Sequence, residues 1–121
     1  MVKNISKKIG VSIDISHWDM MKEFDQGMYE KMMVYREHMY ENLEMDKKVI
    51  ELLIMGMCSI IHDREAIRAH AERALYFGAT KKELFEVAAL SHLVGGVPSY
   101  RDTALTLKKL FQEEEDPTHK K

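Results

Sequence analysis

One glutamate and one histidine, Glu51 and His70, combine a side chain able to exchange protons with an apolar setting. Glu51 interrupts an almost wholly apolar stretch that runs from Val49 to Ile61. A carboxylate in such a stretch is costly unless it is paired, hydrogen-bonded or open to a wet cavity. His70 lies on the apolar side of the next segment, and an imidazole there can accept or deliver a proton. The two residues therefore predict acid–base chemistry, provided that the fold brings them together.

An antiparallel helical hairpin that turns near His62 and Asp63 would position both side chains. The second helix has an apolar stripe at Ala66, Ile67, Ala71 and Ala74, with Arg64, Arg68, Glu72 and Arg73 outside it. At about 1.5 Å of rise per residue, Glu51 lies roughly 15 Å from the turn and His70 roughly 10 Å, a difference that the two side chains can span. Taken alone, Glu51 is more often a solvated helix-edge residue and His70 a satisfied core histidine; their expected proximity favours the functional interpretation.

Three stretches of the sequence resemble the carboxymuconolactone decarboxylase family, which includes the alkylhydroperoxidase D proteins. They are MDKKVIEL at 45–52, HAERALYFGATKKEL at 70–84 and GGVPSYRDTA at 95–104. The family pattern has a glutamate in the first stretch and a histidine that is followed by a small residue four places on and a glycine eight places on. Glu51, His70, Ala74 and Gly78 match this pattern.

The sequence departs from the peroxidase branch of that family at the redox cysteines. The Cys-x-x-Cys pair of that branch corresponds here to Asp63 and Ala66. The single thiol, Cys58, lies in the apolar stretch, where burial raises a thiol pKa and makes the group inert. The resemblance therefore points to the decarboxylase branch, which lacks the pair but keeps the histidine and the Gly-Val-Pro turn.

The resemblance implies an all-α bundle of five or six helices of the alkylhydroperoxidase D type, assembled as a homotrimer or homohexamer. It also implies a lyase that acts on a small carboxylated lactone or related ring and needs no cofactor. Loss of carbon dioxide leaves a carbanion or enolate that a positioned acid must protonate. His70 would transfer this proton and Glu51 would orient the imidazole.

Two further residues are candidates to bind the substrate carboxylate, Arg101 near the start of the last helix and His92 near the end of the helix before it. Each has a structural alternative: most such arginines are only solvated, and the helix dipole favours a histidine near a helix C-terminus. Two functional alternatives also stay open. The chain could be a relative of the alkylhydroperoxidases that has lost the redox cysteines, or a non-catalytic oligomeric binding module.

The chain order predicts an N-terminal arm at 1–14, a helical domain at 15–112 and a disordered charged tail at 113–121. Ser16 is the expected cap of a long helix, or of two helices broken near Gly27. This region carries an apolar stripe expected to be buried, as core, as a pocket lining or in a subunit interface: Trp18, Met21, Phe24, Met28, Met32, Tyr35 and Met39.

Sharper boundary signals follow in the second half of the chain. Asp63 is an expected N-cap, Gly78 an expected left-handed C-cap, and Thr80 with Glu83 forms a capping box. The apolar residues of 84–93 cover more than half of the next helix, which predicts a central position or a subunit contact. Gly95 and Gly96 should end that helix; the last helix begins near Pro98 and buries Tyr100, Ala104, Leu107 and Phe111.

Composition excludes several classes of function. The chain has 121 residues, a net charge of -2 and no basic patch, which argues against a nucleic-acid partner. The longest apolar run, about thirteen residues, is too short to cross a membrane. One cysteine fits a cytoplasmic location. The candidate metal ligands are Glu51, His62, Asp63, His70 and His92, and no pair of these has the short helical spacing of strong zinc motifs. We therefore expect a cytoplasmic enzyme with a small carboxylate substrate and no metal.

Overall fold

The computed structural model describes residues 14–115, which form five α-helices and no strand. The helices are α1 (His17–Phe24), α2 (Gln26–Glu41), α3 (Lys47–Ile60), α4 (Arg64–Tyr76) and α5 (Lys81–Glu115), and α5 is interrupted at Gly96. The predicted all-α fold of five or six helices is confirmed. Residues 1–13 of the predicted arm and 116–121 of the predicted tail lie outside the described residues.

Helices fill the range that the sequence assigned to one domain, but they group into two compact units, Met1–Asp46 and Lys47–Lys121. In the first unit the chain breaks at Asp25, whose side chain accepts a hydrogen bond from the Met28 N–H at 2.9 Å and so caps α2. The prediction that the Ser16 side chain caps the first helix is wrong. Ser16 stands at the N-cap position, but its side chain makes no capping bond, and its own N–H donates to Asp14 Oδ1 at 2.9 Å.

Much of the apolar stripe of α1 and α2 is exposed and does not form core; burial of the stripe as a pocket lining or in a subunit interface stays a prediction. Phe24 is 75% exposed, Tyr35 is 63% exposed and Met28 is 52% exposed. A pair of short helices offers too little opposing surface to cover a stripe that runs along both of them. Trp18 is covered on one side by the guanidinium of Arg36, whose central carbon lies 4.7 Å from the ring centroid.

The second unit is built on the predicted hairpin of α3 and α4. His62 adopts a left-handed conformation at the turn, with φ of 60°. Asp63 follows as the N-cap of α4, and its side chain accepts a hydrogen bond from the Ala66 N–H at 3.1 Å. The expected turn and cap are both confirmed, and they set the register between α3 and α4.

The junction of α4 and α5 also follows the sequence signals. Gly78 has φ of 100°, its N–H donates to the Leu75 carbonyl, and the Ala79 N–H donates to the Ala74 carbonyl. These two bonds are the Schellman pattern that ends a helix. Thr80 Oγ1 accepts from the Glu83 N–H at 3.0 Å while Glu83 Oε1 accepts from the Thr80 N–H at 2.9 Å, so the capping box is present.

The break in α5 lies at Gly96, where φ of 78° takes the chain out of helical geometry before Pro98 resumes it. Gly95 permits a close approach at this break, because a Cβ placed there would lie 1.9 Å from Ser99 Oγ. The helix then continues to Glu115. Residues 113–115 are therefore helical, although the sequence placed them in the disordered tail.

The core of the second unit is formed by large side chains from all three of its helices, Met55, Ile67, Leu84 and Leu110, and by small residues such as Ala71 and Ala88 that let the helices approach. On the second segment of α5 the buried face centres on Ser99, Thr103, Leu107 and Leu110; the expected Tyr100, Ala104 and Phe111 are only partly buried. Thr103 Oγ1 donates to Ser59 Oγ at 2.6 Å, which joins α5 to α3. None of the helices in residues 14–115 is long and apolar enough to cross a membrane.

Candidate acid–base site

Glu51 lies in the first half of α3 with only 1% of its side chain exposed. Both of its carboxylate oxygens have a hydrogen-bond partner on α4. Oε1 is 2.6 Å from Nδ1 of His70, and Oε2 accepts from Nε of Arg73 at 3.0 Å. The expected contact between Glu51 and His70 is confirmed, and the burial of Glu51 is offset by two partners rather than by solvent.

His70 is oriented by this contact and keeps some access to solvent, because 17% of its side chain is exposed. When Glu51 is ionised, its oxygen can only accept a hydrogen bond, so Nδ1 of the ring must carry the proton. The second ring nitrogen, Nε2, is then the one left to exchange a proton with a ligand or with water. The arrangement is that of an imidazole held in one tautomer by a buried carboxylate.

Arg73 is the member of this cluster that the sequence pattern missed. The pattern put it outside the apolar stripe of α4, yet its side chain is 5% exposed and pairs with Glu51. A signal was present in the spacing, because residues three apart on a helix share a face and Arg73 follows His70 by three. A buried carboxylate is stable only with a compensating partner, and Arg73 lies on the same face of α4 as His70.

The register of the hairpin explains why these three side chains meet. Asp63 caps α4 and ends the turn, so His70 and Arg73 fall in the middle and last turns of α4. Ala71 and Ala74 beside them are buried in the same core cluster as Met55 and Cys58 of α3, and their small side chains let the two helices lie close together.

The two residues expected to bind a substrate carboxylate, His92 and Arg101, both lie on α5 and are both exposed. His92 is on the segment before the break at Gly96 and Arg101 on the segment after it. The contacts that define the Glu51 cluster come from α3 and α4, and they include neither of these residues. A role for His92 or Arg101 stays a prediction.

The positions of the redox cysteines of the peroxidase branch carry no redox chemistry here. The Asp63 side chain caps α4 by accepting a hydrogen bond from the Ala66 N–H. Cys58 is buried one turn before the hairpin turn, and burial, followed by the nearby charges of Asp63 and Glu51, raises the pKa of its thiol. A raised pKa keeps the sulfur protonated and poorly nucleophilic at neutral pH.

A second cluster of a carboxylate, a histidine and an arginine lies at the hairpin turn but is more exposed. Asp102 Oδ2 is 2.7 Å from Nδ1 of His62, and Asp102 Oδ1 accepts from Arg64 at 2.8 Å. These two hydrogen bonds hold the pKa of Asp102 below its usual range. His62 is 43% exposed and Arg64 is 70% exposed, so this cluster joins the turn to α5 at the surface.

No group of three histidine, cysteine, aspartate or glutamate side chains within residues 14–115 is arranged to hold a metal ion. The cation beside the buried carboxylate of the candidate site is instead the guanidinium of Arg73. The chemistry available to the described cluster is thus proton transfer through His70, tuned by a carboxylate and an arginine.

The model of the carboxymuconolactone decarboxylase family matches residues 26–109, which is more than half of the chain and includes the whole Glu51 cluster. The chain therefore belongs to the carboxymuconolactone decarboxylase family. No match was found among curated proteins or among solved structures.

Proposed function

We propose that this protein is a lyase of the carboxymuconolactone decarboxylase type, which removes carbon dioxide from a small carboxylated lactone or related ring. His70 supplies the proton that replaces the lost carboxylate, and Glu51 orients His70. The observation that carries the proposal is the 2.6 Å contact between Glu51 Oε1 and His70 Nδ1 in a family member without the cysteine pair.

The chemistry needs one proton and no redox partner. When the bond between the ring carbon and the carboxylate breaks, carbon dioxide leaves and the electron pair stays on the substrate as a carbanion or enolate. A protonated His70 delivers the proton from Nε2 to the acceptor carbon, which gives the decarboxylated product. The neutral imidazole then takes a proton from water for the next cycle. A general acid in such a position contributes about 10²–10⁴-fold to the rate.

Exposure of His70 supports a catalytic site rather than a binding module whose histidine only fills the core. With 17% of its side chain exposed, the ring is not sealed, whereas Glu51 is. The substrate carboxylate needs a cation, and in this proposal Arg101 or His92 on α5 supplies it. Thiol peroxide reduction is not part of the proposal, since Cys58 is buried with a raised pKa.

We also propose that the protein assembles as a homotrimer or homohexamer. The support is an apolar groove of about 470 Å³ between α3 and the first segment of α5. Three of its lining residues are largely exposed, Met57 at 64%, Leu90 at 62% and Val94 at 79%. A contiguous apolar surface of this kind marks an interaction site in most proteins. Light scattering at micromolar concentration should give a mass above that of a monomer, and a stable monomer would contradict the assembly.

The activity is tested by following carbon dioxide release from carboxymuconolactone by the parent protein and three variants. His70→Gln and Glu51→Gln remove the proton donor and its orienting carboxylate. His38→Gln is the matched control, because it makes the same exchange at an exposed histidine on α2. We expect the first two variants to lose about 10²-fold or more of kcat and the control to keep the parent rate.

Two results would contradict the proposal. One is the absence of carbon dioxide release from carboxymuconolactone and from a panel of related carboxylated lactones. The other is turnover that persists unchanged in His70→Gln. Peroxide reduction that depends on Cys58 would favour the alkylhydroperoxidase alternative instead.

A further inference from the structure

We propose that Arg73 is a positioning residue of the acid–base site: it compensates the charge of Glu51 so that His70 can both release and recover its proton. This inference rests on the proposed function and adds a residue to it. Arg73 does not reach the substrate in this account. It acts on the reaction only through the carboxylate that it shares with His70.

The first observation is the gradient of burial across the cluster. Arg73 is 5% exposed, Glu51 is 1% exposed and His70 is 17% exposed. The arginine and the carboxylate are therefore enclosed, and the imidazole is the only one of the three with access to a ligand. An enclosed guanidinium cannot serve as a clamp for a substrate carboxylate, which separates the role of Arg73 from that proposed for Arg101.

The second observation is how the carboxylate is shared. Arg73 Nε donates to Oε2 of Glu51 at 3.0 Å, which leaves Oε1 to His70 at 2.6 Å. Because Arg73 holds Oε2, the Glu51 carboxylate cannot rotate freely about its last bond. The His70 ring, hydrogen-bonded to Oε1 through Nδ1, is then held with Nε2 pointing away from Glu51. Arg73 thus fixes the direction in which the proton can be delivered.

The charge of the cluster supplies the main argument. A guanidinium stays protonated throughout the accessible pH range, so the three groups together change from a net charge of plus one to zero when His70 gives up its proton. Without Arg73 the same step would change the cluster from zero to minus one and would leave the carboxylate buried beside a neutral ring. A buried charge without a compensating partner is strongly disfavoured. The ring would then hold its proton instead of delivering it.

Other charged groups near these helices do not replace Arg73. On α5 the carboxylates that meet α3 and α4 already have cations of their own: Glu83 has Lys48, Asp102 has His62 and Arg64, and Glu113 has Arg68. On α3, Lys48 pairs with Glu83, the half-buried Lys47 lies four residues before Glu51, and burial raises the pKa of the Cys58 thiol. The cation in direct contact with the Glu51 carboxylate is Arg73, at 3.0 Å.

The test compares Arg73→Met, which removes the charge, with Arg73→Lys, which keeps it. The matched control is Arg64→Met, the same exchange at the first residue of α4, where the guanidinium pairs with Asp102 at the surface. We expect Arg73→Met to lower kcat by about 10²-fold with little change in KM, because substrate contacts are unaffected. Arg73→Lys should recover much of the rate, and Arg64→Met should retain the parent rate.

The pH profile separates this role from general loss of structure. The proposed acid must be protonated, so kcat falls as the pH rises and the acid loses its proton. Removing the positive charge of Arg73 lets the ring keep its proton to higher pH, and we expect the falling limb to move up by about one pH unit or more in Arg73→Met. Arg73→Lys should leave the limb near its parent position. An unmoved limb in folded Arg73→Met would overturn the inference.

A spectroscopic measurement keeps the inference independent of the activity assay. The ring nitrogens of His70 can be followed by ¹⁵N NMR as a function of pH, with the signal assigned by its loss in His70→Gln. We expect the Nε2 signal to change protonation state at higher pH in Arg73→Met than in the parent. If the parent protein has no decarboxylase activity but this shift occurs, the proposed function fails and the role of Arg73 stands. If the two titrations coincide, the role of Arg73 fails.

Discussion

The contact between Glu51 and His70 makes a quantitative prediction about stability. If the two side chains interact in solution as they do in the structure, Glu51→Gln and His70→Gln should not have additive effects on the free energy of unfolding. Removing either one takes a hydrogen-bond partner from the other in an enclosed site. We predict an interaction energy on the order of 1 kcal/mol or more from the double-mutant cycle.

The magnitude follows from the burial and the length of the contact. Glu51 is 1% exposed, and the loss of one member of a buried pair costs about 3–5 kcal/mol, so Glu51→Gln should be the more damaging single change. That cost includes the effect on Arg73, which the cycle with His70 subtracts. His70 is more exposed, and a hydrogen bond to a charged group contributes about 1.5–3 kcal/mol before solvent reduces it. An interaction energy of about 1–2 kcal/mol remains.

The measurement is chemical denaturation of the parent, the two single variants and the double variant, with the unfolding followed by circular dichroism. A matched cycle uses His62→Gln and Asp102→Asn, where a histidine and a carboxylate meet at nearly the same distance, 2.7 Å, but the histidine is 43% exposed. This exposed pair should show a smaller interaction energy than Glu51 with His70. The comparison separates burial from contact length.

Additive losses would refute the reasoning. Sites that share no contact are additive within about 0.5 kcal/mol. If the Glu51 and His70 variants fall within that range while every variant unfolds cooperatively, the two side chains do not interact in solution. The proposed acid–base pair would then be abandoned, although the helical fold would be unaffected.

Three further predictions concern other parts of the second unit. Cys58→Ser should retain activity and lower the free energy of unfolding by only about 1–2 kcal/mol, by denaturation, because a buried thiol becomes a hydroxyl of similar size; loss of activity would contradict this. Gly95→Ala should destabilise by about 1–3 kcal/mol, since its Cβ would lie 1.9 Å from Ser99 Oγ, while Gly27→Ala, whose nearest neighbour atom would be 3.7 Å away, should not. The pKa of the Asp102 carboxyl is lowered from its ordinary 3.8. The ion pairs of Asp102 therefore stabilise the fold above pH 3.8, and this stabilisation is lost as the pH falls through the pKa of the folded state. Asp102→Asn should be less stable than the parent at neutral pH, and the difference should disappear in strong acid.

Local sequence signals predicted the second unit well because each of them is satisfied by residues close in the chain. The cap at Asp63, the left-handed Gly78 and the capping box of Thr80 and Glu83 all depend on neighbours within a few positions. Once these fixed the ends of the helices, helical rise was enough to bring Glu51 opposite His70.

Features that depend on the rest of the fold were predicted less well. Periodicity treated Arg73 as a solvent-facing residue, because an apolar stripe carries no information about a buried carboxylate on a facing helix. Periodicity also predicted a buried face on α1 and α2, whereas Phe24 and Tyr35 are exposed. An apolar stripe in the sequence predicts an apolar helix face but does not identify the helix, ligand or subunit that covers it.

The most direct test of the central proposal is to run the reaction on carboxymuconolactone in D₂O and to examine the product by NMR. A positioned His70 should deliver one deuteron for each carbon dioxide released, in a single configuration at the carbon that accepts it. His70→Gln should release carbon dioxide far more slowly. Deuterium in both configurations from the parent protein, or an unchanged rate and configuration in His70→Gln, would contradict the assignment of His70 as the proton donor.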